Sequence, residues 1–342
     1  VAFLSALSDT GELPQVQSRK GITLFVPTQA AFDALGLVYD AMRLPDAAEK
    51  LRRVIRGTVA VEGMLYSDMI TEQPRQVPTL DGGTITLERG TDPQHPAREQ
   101  IRLRGDSSIG AGNATIVAPD LAIRNGVVHR IDRMVVPAGV RFTLRELFRA
   151  AGGNTFLKAI DRLGLASLID AHEPLSSSAA RDYTFFVPSD EAFARFNDTL
   201  LFKDELRMRR IILGHIVANR IIADPHGSMG LEFATLLGDR SIYLEFERTD
   251  GRLRVGIRRH GEDKEQLGED RTATIERSGN IPMGVVHRID VVLLDGRMPG
   301  WPWWIVLLSV VGTGGAMGGG GFYGYQAWMK RRRAAAGYES LA

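Results

Sequence analysis

ITLFVPTQAAF at 22–32 returns as YTFFVPSDEAF at 183–193, and GVVHRID at 126–132 returns letter for letter at 284–290. The first pair of blocks lies 161 positions apart and the second 158, so the two copies keep almost the same internal spacing. That is the pattern of a duplicated domain. The chain reads as two copies of one module.

The blocks carry local instructions. Residues 22–26 are a β-rich apolar run that Pro27, which has no amide donor, brings to an end. Thr28 then caps a helix on which Ala31, Phe32 and Leu35 share a face. The second copy repeats the device with residues 184–187, Pro188 and Ser189, with Asp190 and Glu191 complementing the helix dipole and Ala192, Phe193 and Phe196 turned inward. Helices are expected next over 51–61 and 206–218, aligned at an offset of 157, so that Gly57 matches Gly214 and Met64 matches Ile221. Later stretches alternate: Ile85 and Leu87 between polar neighbours, then Ile101 and Leu103, then Leu253, Val255 and Ile257. Period two predicts strands with one buried face. Each copy closes on GVVHRID and a further apolar strand, 134–136 or 291–294. Helices early and antiparallel strands late predict an α+β module.

These blocks resemble the fasciclin (FAS1) family, whose pattern is a TxFxPTxxAF block, a middle YHxV-like segment and a closing NGVVHxID followed by V-L-x-P. The matching motif residues are Pro27, Thr28, Phe32, Asn125, Gly126, His129 and Asp132 in the first copy, and Pro188, Ser189, Phe193, His215, Gly284, His287 and Asp290 in the second. The middle histidine survives as His215 and is Thr58 in the first copy, while Asn125 becomes Met283 and Pro137 becomes Asp295. The resemblance covers residues 1–297. It implies a β-sandwich wedge flanked by helices, which binds protein ligands outside the cytosol in adhesion and needs no cofactor. Similar fungal proteins with several such modules and one span include vacuolar members. The division expected is 1–138 and 139–297 for the modules, with the first helix of the first copy incomplete, then a linker at 298–302. Residues 138–141 are too few for a free linker, so the modules are expected to touch.

With 342 residues, 44% of them apolar, each half has the material for its own core. There is no cysteine, so disulfides, thiolate metal sites and cysteine nucleophiles are excluded. The net charge is +1, and because residues 330–342 carry +3 the remainder stands at −2. Nucleic acid as a partner is disfavoured.

Residues 303–328 contain no charge, and 26 residues at the helical rise reach ~39 Å, enough to cross ~30 Å of hydrocarbon with tilt. Trp301, Trp303 and Trp304 mark one interface and Tyr323, Tyr325 and Trp328 the other, and the basic run 330–333 then stays cytosolic. A lipid-embedded span, a type I topology and a cytosolic tail at 329–342 are therefore expected, with the modules lumenal or extracellular. Gly314 with Gly318, Gly315 with Gly319 and Gly320 with Gly324 have the spacing that lets two helices dimerise closely. The tail ends in Gly337-Tyr338-Glu339-Ser340-Leu341, which resembles the GYxxΦ signals read by sorting adaptors, with Tyr338 and Leu341 as the side chains that fill pockets. This favours a vacuole or lysosome, with the cell surface as the alternative. Asn113 and Asn197 each open a glycosylation sequon.

The repeated His129 and Asp132, and His287 and Asp290, are the evident titratable groups. A hydrolase would use each histidine as a base oriented by its aspartate, but strand residues three apart point to opposite faces. A buried histidine that bonds backbone explains them better, and His215 is read the same way. No GxSxG, HExxH or GxxxxGK pattern occurs. No metal or catalytic residue is assigned. Pro119-Asp120-Leu121 resembles part of an integrin-contact motif of some animal fasciclin domains, but Ala118 stands where the motif has glutamate, and a turn entering a strand explains the residues equally well.

Overall fold

In the first copy, α1 (Ala2–Asp9) and α2 (Leu13–Ser18) lead into β1 (Ile22–Pro27), which is buried at nearly every position. Thr28 caps α3 (Gln29–Leu35), its hydroxyl accepting the Ala31 N–H at 3.2 Å. Then come α4 (Leu37–Met42), α5 (Ala48–Gly57) and six strands: β2 (Val59–Ala60), β3 (Arg75–Pro78), β4 (Thr84–Thr91), β5 (Glu99–Gly105), β6 (Asn113–Ile123) and β7 (Gly126–Ile131). The second copy opens on α6 (Leu144–Ala150) and α7 (Asn154–Arg162), then β8 (Tyr183–Pro188), α8 (Asp190–Phe196) and α9 (Glu205–Gly214). It ends with β9 (Ile216–Val217), β10 (Glu232–Ala234), β11 (Arg240–Glu247), β12 (Arg252–Arg259), β13 (Thr272–Ile281) and β14 (Gly284–Ile289).

This computed structural model describes residues 2–92, 95, 99–105, 113–170, 183–196, 203–222, 231–238, 240–247, 251–259 and 271–294. The expected span at 303–328, the linker and tail on either side of it, Asn197, Gly337, Tyr338 and Leu341 lie outside the described residues. Among the described residues no helix is long and apolar enough to cross a membrane.

Each copy builds a seven-stranded mixed sheet in the same order, β2-β1-β7-β6-β5-β4-β3 and β9-β8-β14-β13-β12-β11-β10. The central pair is parallel, Phe25 opposite His129 in one module and Phe186 opposite His287 in the other, whereas the alternation alone predicts antiparallel strands. Register breaks in β6 near Ala118 and in β13 near Ile275 bend those strands. The two ends of each sheet then meet. Ala60 bridges Thr79, with the Leu80 N–H donating to the Val59 carbonyl at 2.8 Å, and Val217 bridges Thr235, with the Leu236 N–H donating to the Ile216 carbonyl at 2.8 Å. The strongly bent sheet of each module is joined end to end by one bridge and wraps around the core, which covers part of both edges against stray pairing. Its interior is one cluster per module: Phe25, Val77, Ile85, Leu87, Leu103 and Ile131 in the first, Phe186, Val217, Ile242, Val255, Ile257 and Ile289 in the second. Each fully buried Phe or Ile there contributes about 2 kcal/mol.

Three local expectations are corrected. The helices end at Gly57 and Gly214, not at 61 and 218, because the next residues leave to pair with β1 and β8. Residues 134–136 and 291–294 form no strand, although Val135, Val136, Val292 and Leu293 are buried. Ile221 corresponds to Leu65 rather than Met64: both bond the equivalent strand threonine, and Met64 is exposed.

Val1–Asp295 forms one compact unit in which the two modules are docked. Asp40 on α4 pairs with Arg277 on β13 at 2.5 Å, Lys50 with Glu146 at 2.5 Å, and Asp46 with Arg149 at 2.8 Å. Between these pairs the backbones nearly touch. Gly36 has φ +52, and a Cβ there would collide with the Ser278 carbonyl oxygen.

Candidate functional site

The parallel strand pair brings the motif residues to one place in each module. Gly126 sits at the start of β7 because a Cβ there would strike the Ile22 carbonyl oxygen of β1. Asn125 just before it holds the α2–β1 connection, its amide donating to the Val16 and Arg19 carbonyls at 2.8 and 2.9 Å. Met283 has no amide to repeat this. Pro27 and Pro188 are the last residues of their strands, opposite Ile131 and Ile289, and Thr28 and Ser189 cap the helices that carry buried Phe32 and Phe193.

Three positions along from Gly126, His129 is fully buried against Phe25. Its Nε2–H donates to the Leu65 carbonyl at 2.7 Å, and its Nδ1 accepts the Asp120 N–H at 3.2 Å. The Leu65 N–H in turn donates to Thr23 Oγ1 at 2.9 Å, so one loop residue is held through both its N–H and its carbonyl. The second module repeats the latch. His287 Nε2–H donates to the Ile221 carbonyl at 3.0 Å, the Ile221 N–H donates to Thr184 Oγ1 at 2.8 Å, and Ser278 supplies a hydroxyl proton to His287 Nδ1 at 2.8 Å. Because the carbonyls accept only, Nε2 carries a proton in both rings. His215 takes the other tautomer, with Nδ1–H donating to the Ile211 carbonyl at 2.8 Å and Nε2 accepting the Leu293 N–H at 3.0 Å. Burial pushes His215 and His287 down to about 4. At His215 a second ring proton would also face the Leu293 N–H.

The aspartates do not join the histidines. Asp132 Oδ1 accepts the Thr115 N–H at 2.6 Å while the Asp132 N–H returns a bond to Thr115, and Asp290 makes the same exchange with Thr274. They pin the end of one strand to its neighbour. Among the described residues no group of three or more His, Asp or Glu side chains is placed to hold a metal ion. Thr58, standing where the second copy has His215, turns its hydroxyl back to the Ile55 carbonyl at 2.7 Å.

Asp120 occupies the bend of β6 at φ +61, not a turn ahead of a strand. Its carboxylate accepts the Ser67 N–H at 2.8 Å and the Ser67 hydroxyl; burial acts to raise it, but these bonds win and hold it below the usual carboxylate range. Asn113 is exposed at the start of β6. Sequence reasoning missed Thr23 and Thr184, buried polar partners of both latches. The signal was present: each is the one polar letter inside an apolar strand, and it recurs in both copies.

A family model described as the fasciclin domain matches residues 2–137 and 151–295. Fasciclin-1 of Schistocerca americana is 26% identical over 304 residues, 85% of this chain and 42% of that protein. Human periostin is 27% identical over 222 residues, 63% of this chain and 22% of that protein. The chain thus spans less than half the length of either relative. The solved FAS1 domain pair from the insect cell adhesion molecule Fasciclin I covers 86% of this chain and 97% of its own, at 18% identity and a TM-score of 0.35.

Proposed function

This chain belongs to the fasciclin-domain family, and from that premise we propose that it is a non-enzymatic, single-pass type I membrane protein displaying two modules for adhesion or protein docking. One observation carries the reading. The repeated histidines and aspartates are spent on backbone bonds inside the modules, so the residues the two copies share hold shape, and binding is left to the outer surfaces. The hydrolase alternative needs His–Asp pairs, and in both modules the aspartate bonds a threonine amide instead.

The uncharged run 303–328 with the basic run after it supports the anchor, with modules at 1–138 and 139–297 and a cytosolic tail at 329–342. The terminal Tyr338 and Leu341 support delivery to a vacuolar or lysosomal membrane, where the modules act in membrane traffic or fusion. Cell-surface adhesion with the same topology is the second reading, and the sequons at Asn113 and Asn197 fit either. Imaging the tagged chain tests these steps. Residence in cytosol or mitochondria overturns membrane display, and a surface signal unchanged by Tyr338→Ala overturns sorting. Beads coated with the chain test adhesion directly: clustering, or capture by cells, supports it, and inertness in both overturns it.

A further inference from the structure

The β3–β4 turn of the first module and the β10–β11 turn of the second close on the same bonds. Thr79 donates its N–H and its hydroxyl to the Gly83 carbonyl at 2.9 and 3.2 Å, and Thr235 does the same to the Arg240 carbonyl at 2.8 and 3.1 Å. Gly83 and Arg240 are therefore equivalent positions. Two residues further on, Ile85 and Ile242 enter the two cores, and opposite them on the next strand stand Gly105 and Ile257. In the second module both places are filled from within, since Arg240 is 2% exposed and Ile257 is 1% exposed.

In the first module the two glycines border a cavity of about 220 Å³, enclosed by the end of α5, the β3–β4 turn and the segment 135–139. Backbone geometry does not call for glycine at 83. Its φ is outside the left-handed region, and a Cβ there would meet only Thr79 Oγ1, at 3.8 Å. The charge changes with the space. The Gly82 N–H bonds the Thr79 carbonyl as the Gly238 N–H bonds that of Thr235, so Asp81 stands where the second module has Leu237. The first module has thus lost a cation here and gained a carboxylate, whose side chain is 6% exposed. Among the described residues that line the cavity Arg53 is the one cation, and it is already bound: Nε and Nη2 donate to Asp81 at 3.2 and 3.1 Å, and Nη1 to the Gly139 carbonyl at 3.0 Å. The Val136 carbonyl oxygen also faces this space, 3.9 Å from where a Cβ on Gly105 would stand.

We propose that this cavity is a pocket for an arginine side chain presented by a partner protein, which takes the place that Arg240 fills in the second module. A carboxylate offers about four acceptor sites and Arg53 uses two of those on Asp81, so a second guanidinium finds charge-assisted partners there and a further acceptor in the Val136 carbonyl. The apolar stem of the arginine lies along Ile85 and Val135, both in the lining. Lysine brings a compact, strongly hydrated charge without the planar fork, and it fits less well. The inference rests on the docking reading above and gives it a pocket and an anchor chemistry.

The probe is a short fluorescein-labelled peptide with one arginine among serines and glycines, compared with the same peptide carrying lysine or citrulline in that place, each titrated with the full chain by anisotropy. Saturable binding of the arginine peptide is expected with a Kd at or below about 1 mM, and the lysine and citrulline peptides bind at least about tenfold more weakly. Gly83→Arg, which supplies the side chain of the second module at a position open to it, abolishes binding, and Asp81→Asn weakens it by about tenfold. Each variant is read with its circular dichroism spectrum unchanged, and either one alone decides the test. No binding up to about 1 mM, equal binding of the three peptides, or binding indifferent to the variants overturns the proposal. So does self-association of the chain that Gly83→Arg abolishes, which assigns the pocket to a second copy. Peptide binding by a chain whose beads never cluster and capture no cell keeps the pocket and discards adhesion; clustering without peptide binding does the reverse.

Discussion

Acidification will weaken the second module through two histidines. Burial depresses His215 and His287 from an ordinary 6.5 to about 4, so the unfolded chain takes up protons that the folded chain refuses. The stabilisation is therefore fully present above 6.5 and lost as pH falls toward 4. A depression of that size corresponds to about 3 kcal/mol per ring when fully expressed. At pH 5 the unfolded imidazoles are nearly all charged and the folded ones nearly all neutral, which gives a loss of ~2 kcal/mol each. Together that is ~4 kcal/mol, against a domain stability of ~5–15 kcal/mol. Burial also raises half-buried Asp40 against the pull of Arg277, and its sign is opposite: it holds its proton more tightly folded than unfolded, so it stabilises at low pH and offsets part of the loss. The assay is urea unfolding followed by far-ultraviolet circular dichroism at about pH 7.5, 6.5 and 5, since the tryptophans all lie at 301–328, beyond the modules. A double variant, His215→Gln with His287→Gln, will start less stable at neutral pH and show a much flatter profile between 6.5 and 5. A loss under ~1 kcal/mol in the parent, or an equal loss in the double variant, refutes the reasoning.

Thr184→Val keeps the shape of the latch but strands the buried Ile221 N–H, and denaturation will show a loss of ~1–3 kcal/mol, matched by Thr23→Val in the first module. Gly36→Ala forces a Cβ into the Ser278 carbonyl at a left-handed φ, so the modules separate, and small-angle scattering will report a larger radius of gyration with each module still folded. Arg277→Ala removes a partly exposed ion pair at the same interface, and the cost will stay at or below ~1 kcal/mol and vanish in high salt by the same unfolding assay.

The duplication, the capped helix after each first strand and the faces of the alternating strands were all legible in the letters, because each depends on neighbours within a few residues. Ile85, Leu87, Val255 and Ile257 turn inward as their period requires. His129 and Asp132 stand apart, but Asp132 lies just past the end of β7, and what holds it away is the Thr115 amide. What the letters did not reveal was partnership at a distance. That β1 lies parallel to β7, that the two ends of each sheet bond through Ala60 and Thr79 or Val217 and Thr235, and that residues 59–60 leave the helix to do so depend on contacts between segments far apart in sequence. Nor do the histidines choose their tautomers locally: Leu65 and Ile221, more than sixty positions away, present the carbonyls that decide them. The two copies carry nearly the same local code, yet Gly36 of the first seats against the Ser278 carbonyl of the second, a contact that the repeat does not predict. Local chemistry is written residue by residue, while occupancy of a surface depends on what else folds against it, and that only the assembled chain decides.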